Sequence, residues 1–333
     1  MLSLLAIVAA LWLCTVFALN GLLNYALKPD MKDGGKENLS WQSAFKNHPF
    51  LKPWHDSLVS NKSLKDTFIY STVDGSRLHA FFIKAPRKTD STAIVIHGYT
   101  DNAINMMMIG FMYNHEFQYN VIIPNLRCSG KTAGNYVQMG WRDSRDVLDW
   151  LHFTDKTFGR DGFKVLHGIS MGAATAMMTS RFVETDKSVN NIGAYIEDCG
   201  YTSVYDQFAK ELKGQFGLPA YPILDMASNL NKLLRSWSFK EASSLNCVKG
   251  CFTPMMFIHG DSDTYVPTEM AYELFKVKPT RKELWIVKGA THAQSYKINP
   301  QEYTKRVHSF LGRAAQRQIS LMMEKPYVYK RAF

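Results

Sequence analysis

Apolar residues run almost unbroken from Leu2 to Leu19, where Ser3, Thr15 and the thiol of Cys14 are the only polar side chains. The apolar character then weakens through Leu22, Leu23, Tyr25 and Leu27 to Lys28. About 20 apolar residues suffice to cross a bilayer as a helix. A cleaved leader needs a basic start and a small-residue cleavage site. Met1-Leu2-Ser3 carries no base, Phe17-Ala18-Leu19-Asn20 is a poor site, and bulky residues precede Cys14 where a lipidation box needs small ones. Residues 1–27 are therefore expected to be an uncleaved single-pass membrane anchor. Lys28, Lys32 and Lys36 follow the span and bias the remainder of the chain toward the cytoplasmic side.

Residues 28–64 are polar with Gly34-Gly35, and read as a linker plus a docking segment carrying Trp41, Phe45 and Trp54. Beyond them two β-rich runs, 68–73 and 78–83, flank Asp74-Gly75 and predict a hairpin. Short apolar strands then alternate with helical patterns. Strands are expected at 92–96, 121–124, 164–167, 192–197, 255–258 and 284–287. Helices are expected near 102–114, 141–158, 171–184, 268–277 and 300–315. Continuous apolar strands between helices indicate an α/β fold with a mostly parallel central sheet covered on both faces. Residues 203–252 interrupt the alternation with helical patterns near 205–215 and 222–235. An insertion of that size between strands reads as a helical cap. The expected organisation is an anchor (1–27), a linker and docking segment (28–64), one α/β domain (65–315, cap about 203–252) and a tail (316–333).

Composition changes this picture little. The 333 residues are 46% hydrophobic and 20% charged, as in ordinary globular chains. The net charge of +10 is spread along the chain. No basic stretch interleaves with aromatics, so no nucleic-acid partner is expected. The five cysteines, Cys14, Cys128, Cys199, Cys247 and Cys251, do not describe a disulfide framework, although Cys247 and Cys251 are close enough in sequence to pair. No metal or cofactor motif is evident.

The chemistry concentrates at Gly168-Ile169-Ser170-Met171-Gly172, between the strand ending at His167 and the helix from 171. In a strand–turn–helix setting G-x-S-x-G presents its serine at the end of a sheet, with helix N–H groups aimed at a developing oxyanion. A serine hydroxyl needs a base, and the base needs an orienting carboxylate. His292, in the loop after strand 284–287, is the candidate base. Asp263, after strand 255–258, is the candidate acid, with Asp261 and Asp198 as alternatives. His97, His167 and His259 read as hydrogen-bonded structural histidines. The turn His97-Gly98-Tyr99 ends strand 92–96, and the N–H groups of Tyr99 and Met171 would together hold an oxyanion.

These residues, with Pro124-Asn125-Leu126-Arg127 and His259-Gly260-x-x-Asp263-x-x-Val266-Pro267, resemble the α/β-hydrolase superfamily over most of residues 65–315. The chain is more closely similar to membrane-anchored bacterial serine hydrolases grouped with serine aminopeptidase-like enzymes. The resemblance implies the α/β-hydrolase fold, a Ser170–Asp263–His292 triad, Tyr99 and Met171 as oxyanion donors, and no cofactor. Relatives often read Asp-x-Arg-Gly-x-Gly where this chain has Asn125-Leu126-Arg127-Cys128-Ser129-Gly130. Three functions compete: a hydrolase of carboxylic esters or thioesters, a peptidase or amidase with the same triad, and a non-catalytic scaffold. Phe208, Phe216, Tyr221 and Met226 of the cap would suit an apolar acyl chain. Glu197 or Asp206 are the carboxylates available to hold a peptide amino terminus.

Overall fold

A computed structural model describes residues 2–28, 37–183 and 192–323. Lys32 and Lys36 of the linker, and Lys325, Lys330 and Arg331 of the tail, lie outside the described residues. Helix α1 (Leu2–Leu27) is followed by α2 (Glu37–Asn47) and α3 (Leu51–Ser60). The sheet is built from β1 (Leu64–Tyr70), β2 (Arg77–Ile83), β3 (Thr92–Ile96), β4 (Asn120–Pro124), β5 (Lys164–Ile169), β6 (Ile192–Asp198), β7 (Met255–Gly260) and β8 (Lys282–Val287). Between these run α4 (Met107–Phe111), α5 (Asp143–Phe158), α6 (Met171–Val183), α7 (Val204–Phe216), α8 (Ile223–Arg235), α9 (Ser244–Lys249) and α10 (Thr268–Val277). The last helices are α11 (Ser295–Ile298) and α12 (Pro300–Met323).

The eight strands lie in the order β1-β2-β4-β3-β5-β6-β7-β8. β1–β2 and β2–β4 pair antiparallel, and every later pair is parallel. The mostly parallel sheet with an antiparallel opening is the one expected from the apolar runs. Alternate residues of β3 feed opposite layers: Ile94 and Ile96 join the core under α5, α6 and the helices after β6. Ala93 and Val95 face α3, α4 and α12. Burial on both faces is why this strand carries no polar alternation.

Two segments differ from the sequence reading. The region read as one helix near 102–114 is a composite, with a 3₁₀ turn at Ala103–Met106, α4, and a π turn at Met112–Glu116. Asn102 accepts from the Ile104 N–H, and Asn125 reaches from the β4 loop to accept from Ala103 N–H at 2.9 Å. Side-chain acceptors spaced in this way favour i→i+3 closure at the start of the segment. The linker region also holds two helices, and α3 buries Trp54 while Trp41 and Phe45 stack at a ring separation of 5.4 Å.

The loop after β4 is anchored by charge. Arg127 is buried and bonds Asp146 on α5 at 2.6 Å, with Asp74 of the β1–β2 turn on its other edge. Asn125 also donates to His79 at 2.8 Å. Both links tie the β4 loop to the first hairpin.

Candidate active site

The site lies at the carboxyl ends of β3, β5, β7 and β8, where parallel strands of an open sheet present their loops together. Ser170 stands between β5 and α6 with φ of 57°, a left-handed conformation that a serine adopts only when its surroundings enforce it. Its N–H donates to the Asp198 carbonyl at 2.8 Å. The turn closes because its flanks have no side chains. A Cβ on Gly168 would overlap the Gly172 carbonyl, and a Cβ on Gly172 would overlap the Ile96 carbonyl of the neighbouring strand.

His292, on the loop after β8, lies with Nε2 2.9 Å from Ser170 Oγ. Its Nδ1 lies 2.7 Å from Asp263 Oδ2. The other Asp263 oxygen accepts from the N–H groups of Tyr265 and Val266, both at 2.9 Å. Burial alone would raise the Asp263 carboxyl, but hydrogen bonds from His259 and His292 outweigh it and hold the group well below the ordinary carboxylate range. Asp263 is thus an anion facing an imidazole, the pairing that orients a base. Neither alternative acid is so placed. Asp261 accepts from the Gly289 N–H, and Asp198 accepts from Ser295 and Tyr303.

Tyr99 follows Gly98 at the end of β3, and a Cβ on Gly98 would sit 3.4 Å from that of Ser170. Glycine therefore keeps the space over the serine open. Met171 is the first residue of α6, whose opening N–H groups lack an acceptor one turn earlier in the helix. The backbones of Tyr99 and Met171 accordingly flank Ser170 from two sides.

The three other histidines named from sequence are buried and bonded. His97 accepts from the Leu126 N–H at 2.9 Å and steadies the turn before Tyr99. His167 sits between the hydroxyls of Tyr113 and Tyr303, and burial pushes it down to about 3. His259 lies 3.3 Å from Asp263 and bonds the Val266 carbonyl, supporting the acid from behind. Sequence reasoning missed that second contact. The i,i+4 spacing of His259 and Asp263 across a tight loop was its only signal.

Cys199, Asp263 and His292 bring ligand-type atoms within 4.8 Å of one another. Burial pushes the Cys199 thiol well above its ordinary value, and the Asp–His pair is already bonded to itself. This donor set does not suit a metal, whose cysteine ligands bind as thiolates. Among the described residues no disulfide joins Cys247 to Cys251.

Beneath the site, burial pushes Glu197 up to about 8 and Asp143 up to about 7. Both hold protons at neutral pH that the unfolded chain has lost, so stability falls as pH rises through this window. His167, held neutral, acts in the opposite sense only below its ordinary value of 6.5. The melting temperature is therefore expected to fall between pH 6.5 and 8.5, with a slope of at most about 1.4 kcal/mol per pH unit for each proton. Glu197→Gln should flatten that slope in a pH series of thermal melts; an unchanged slope would rule out Glu197 as its source.

The sheet order and the loops gathered at its carboxyl edge are those of the α/β-hydrolase fold. No family model matches the chain. An esterase from Pyrococcus furiosus, Pf2001, superposes with a TM-score of 0.59 at 25% identity, covering 75% of this chain and 92% of that one. An acylaminoacyl peptidase from Pyrococcus horikoshii gives 0.55 at 17% identity, over 77% of this chain and 42% of that one. By sequence, the uncharacterized protein YqkD of Bacillus subtilis is 29% identical over 261 residues, 77% of this chain and 83% of its own length. The uncharacterized peptidase YuxL of the same organism is 25% identical over 74% of this chain, which spans 38% of that longer protein. One of these neighbours is named as an esterase and two as peptidases, and this likeness supports hydrolase activity for the chain.

Proposed function

We propose that the protein is a serine hydrolase that cleaves carboxylic esters or thioesters through an acyl-enzyme on Ser170. The observation that carries this reading is the unbroken hydrogen-bonded path from Ser170 Oγ through His292 to Asp263. His292 Nε2 takes the Ser170 proton as Oγ bonds to the substrate carbonyl carbon. The carbonyl oxygen becomes an oxyanion held by the N–H groups of Tyr99 and Met171. Collapse expels the alcohol or thiol, which leaves with the proton from His292. Water then gives a proton to His292 and attacks the acyl carbon. The second tetrahedral adduct breaks its bond to Oγ, the proton returns to Ser170, and the acid departs.

The same triad could cut an amide, and two relatives are named as peptidases. The two carboxylates available to hold a peptide amino terminus are otherwise engaged. Glu197 is fully buried and accepts from the Gly200 N–H, while Asp206 accepts from the hydroxyls of Thr202 and Ser203. This favours the ester reading over an aminopeptidase one. α1 is long and apolar enough to cross a membrane, and we read it as the anchor of the enzyme.

A fluorophosphonate probe is expected to label the wild-type chain and not Ser170→Ala. On paired chromogenic substrates, acyl p-nitrophenyl esters should turn over well ahead of aminoacyl p-nitroanilides. Equal labelling of both proteins would refute the Ser170 assignment, and a preference for anilides would replace the esterase reading with the peptidase one.

A further inference from the structure

The last turns of α1 do not leave the domain. Leu19, Leu23 and Leu27 are buried in the same core as α5, α6 and the cap, and α1 packs on α8. The Ala26 carbonyl, one of the terminal acceptors of α1, receives a hydrogen bond from the Tyr99 hydroxyl at 3.0 Å. Between α1, α7 and α8 lies a pocket of about 410 Å³. Leu22, Leu23 and Ala26 form one wall, and Phe208, Leu224 and Ala227 the opposite one. Tyr99 and Tyr265 line its inner end. These two tyrosines border the catalytic residues: Tyr265 lies 4.9 Å from the His292 ring, and Tyr99 adjoins Gly98 over Ser170. At the outer end Tyr25 of α1 meets Phe216 of α7 edge to face at 5.8 Å, and both are exposed.

Apolar side chains are exposed around that outer end, beside the polar Glu211 and Gln215 that also line the pocket. Leu218, Tyr221, Leu233 and Leu234 are exposed on and between the cap helices, and Leu11, Leu13 and Phe17 along α1. Leu11, Leu13 and Phe17 lie on the part of α1 that precedes its docked turns, so a membrane that takes up that part meets the cap's apolar rim as well.

We infer that this pocket takes the acyl chain of a long-chain ester drawn directly from the bilayer, with the anchor helix as one wall of the substrate site. The inference rests on Ser170 being the nucleophile. It places the scissile carbonyl between Tyr99 and Ser170, with the alkyl tail running outward along α1 past Tyr25 and Phe216. Each methylene that enters the pocket is expected to raise kcat/KM by about fourfold until the pocket is full.

The test uses the full chain in phosphatidylcholine vesicles with p-nitrophenyl acetate, octanoate and palmitate. Ala26→Trp and Ile223→Trp, which narrow the pocket from opposite walls, are expected to cut the octanoate-to-acetate ratio of kcat/KM at least tenfold. If either fails to melt cooperatively, Phe208→Ala, which widens it, should shift the preference toward the longer ester. Palmitate ester in the same vesicles as the protein should turn over at least tenfold faster than the ester in separate vesicles. An unchanged ratio in folded variants overturns the pocket assignment, and equal rates in the two vesicle arrangements overturn delivery from the bilayer. Wild-type chain that neither labels with fluorophosphonate nor cuts any ester would instead sink the underlying reading.

Discussion

Ser170→Ala and His292→Ala are each expected to lower kcat on p-nitrophenyl octanoate by about 10⁴–10⁶-fold, and the double variant is expected to be no slower than either single one. The reason is the geometry of the pair. At 2.9 Å, the role proposed for His292 Nε2 is to exchange a proton with Ser170 Oγ. Once the hydroxyl is gone the base has nothing to act on, and residues that work as a unit lose activity together rather than additively. The residual rate then reflects binding and the oxyanion donors alone. Steady-state kinetics of the two single variants and the double variant decide the matter. A double variant slower by the product of the two single losses would mean that the residues act independently, and the triad would have to be redrawn.

The second large effect is on folding. Gly172→Ala is expected to cost at least 3 kcal/mol, because its new methyl group would meet the carbonyl oxygens of Ile96 and His97. These belong to β3 and to the turn that carries Tyr99, and backbone cannot move aside as a flexible side chain can. For a domain of this size the melting temperature should fall by roughly 6–12 °C. Gly214→Ala is the control. It lies on the exposed face of α7 with open space around it, and should stabilise by up to about 1 kcal/mol. Differential scanning calorimetry of the two variants compares them. A Gly172→Ala chain that melts with wild type would mean the elbow has room to spare.

The parts of the molecule legible in the sequence are those where one physical cause dominates. β3 reads Thr-Ala-Ile-Val-Ile because both of its faces are dry, and α5 carries Val147, Trp150 and Leu151 inward because a single face is. The Gly168–Gly172 turn is legible because steric crowding leaves no other residue at its flanks. Where causes compete, the sequence says less. The segment 103–116 has the apolar content of a helix, but Asn102 and Asn125 bend its start by offering acceptors that the periodicity does not count. The choice of Asp263 over Asp261 depends on which carboxylate a two-residue offset turns toward His292, and local pattern alone does not decide that. The pocket was legible only in part. Phe208 and Phe216 line it, but Tyr221 and Met226 lie on the surface, and its second wall comes from residues 180 or more positions earlier in the chain. Hydropathy marks those residues as an anchor and carries no sign of which face will be docked.

That docking gives α1 a rotational phase as well as a length. Because Leu19, Leu23 and Leu27 repeat every four residues along one face of a continuous helix, everything N-terminal to them turns in register with the domain. Two residues added near Leu13 would rotate the outer segment by about 200° and carry Trp12 and Leu11 to the far side. Four would restore its facing to within about 40° and lift it by about 6 Å. With α1 as the proposed anchor, the helix behaves as a keyed shaft: it sets the compass bearing of the pocket mouth relative to the lipid, which a flexible tether of equal length would leave free.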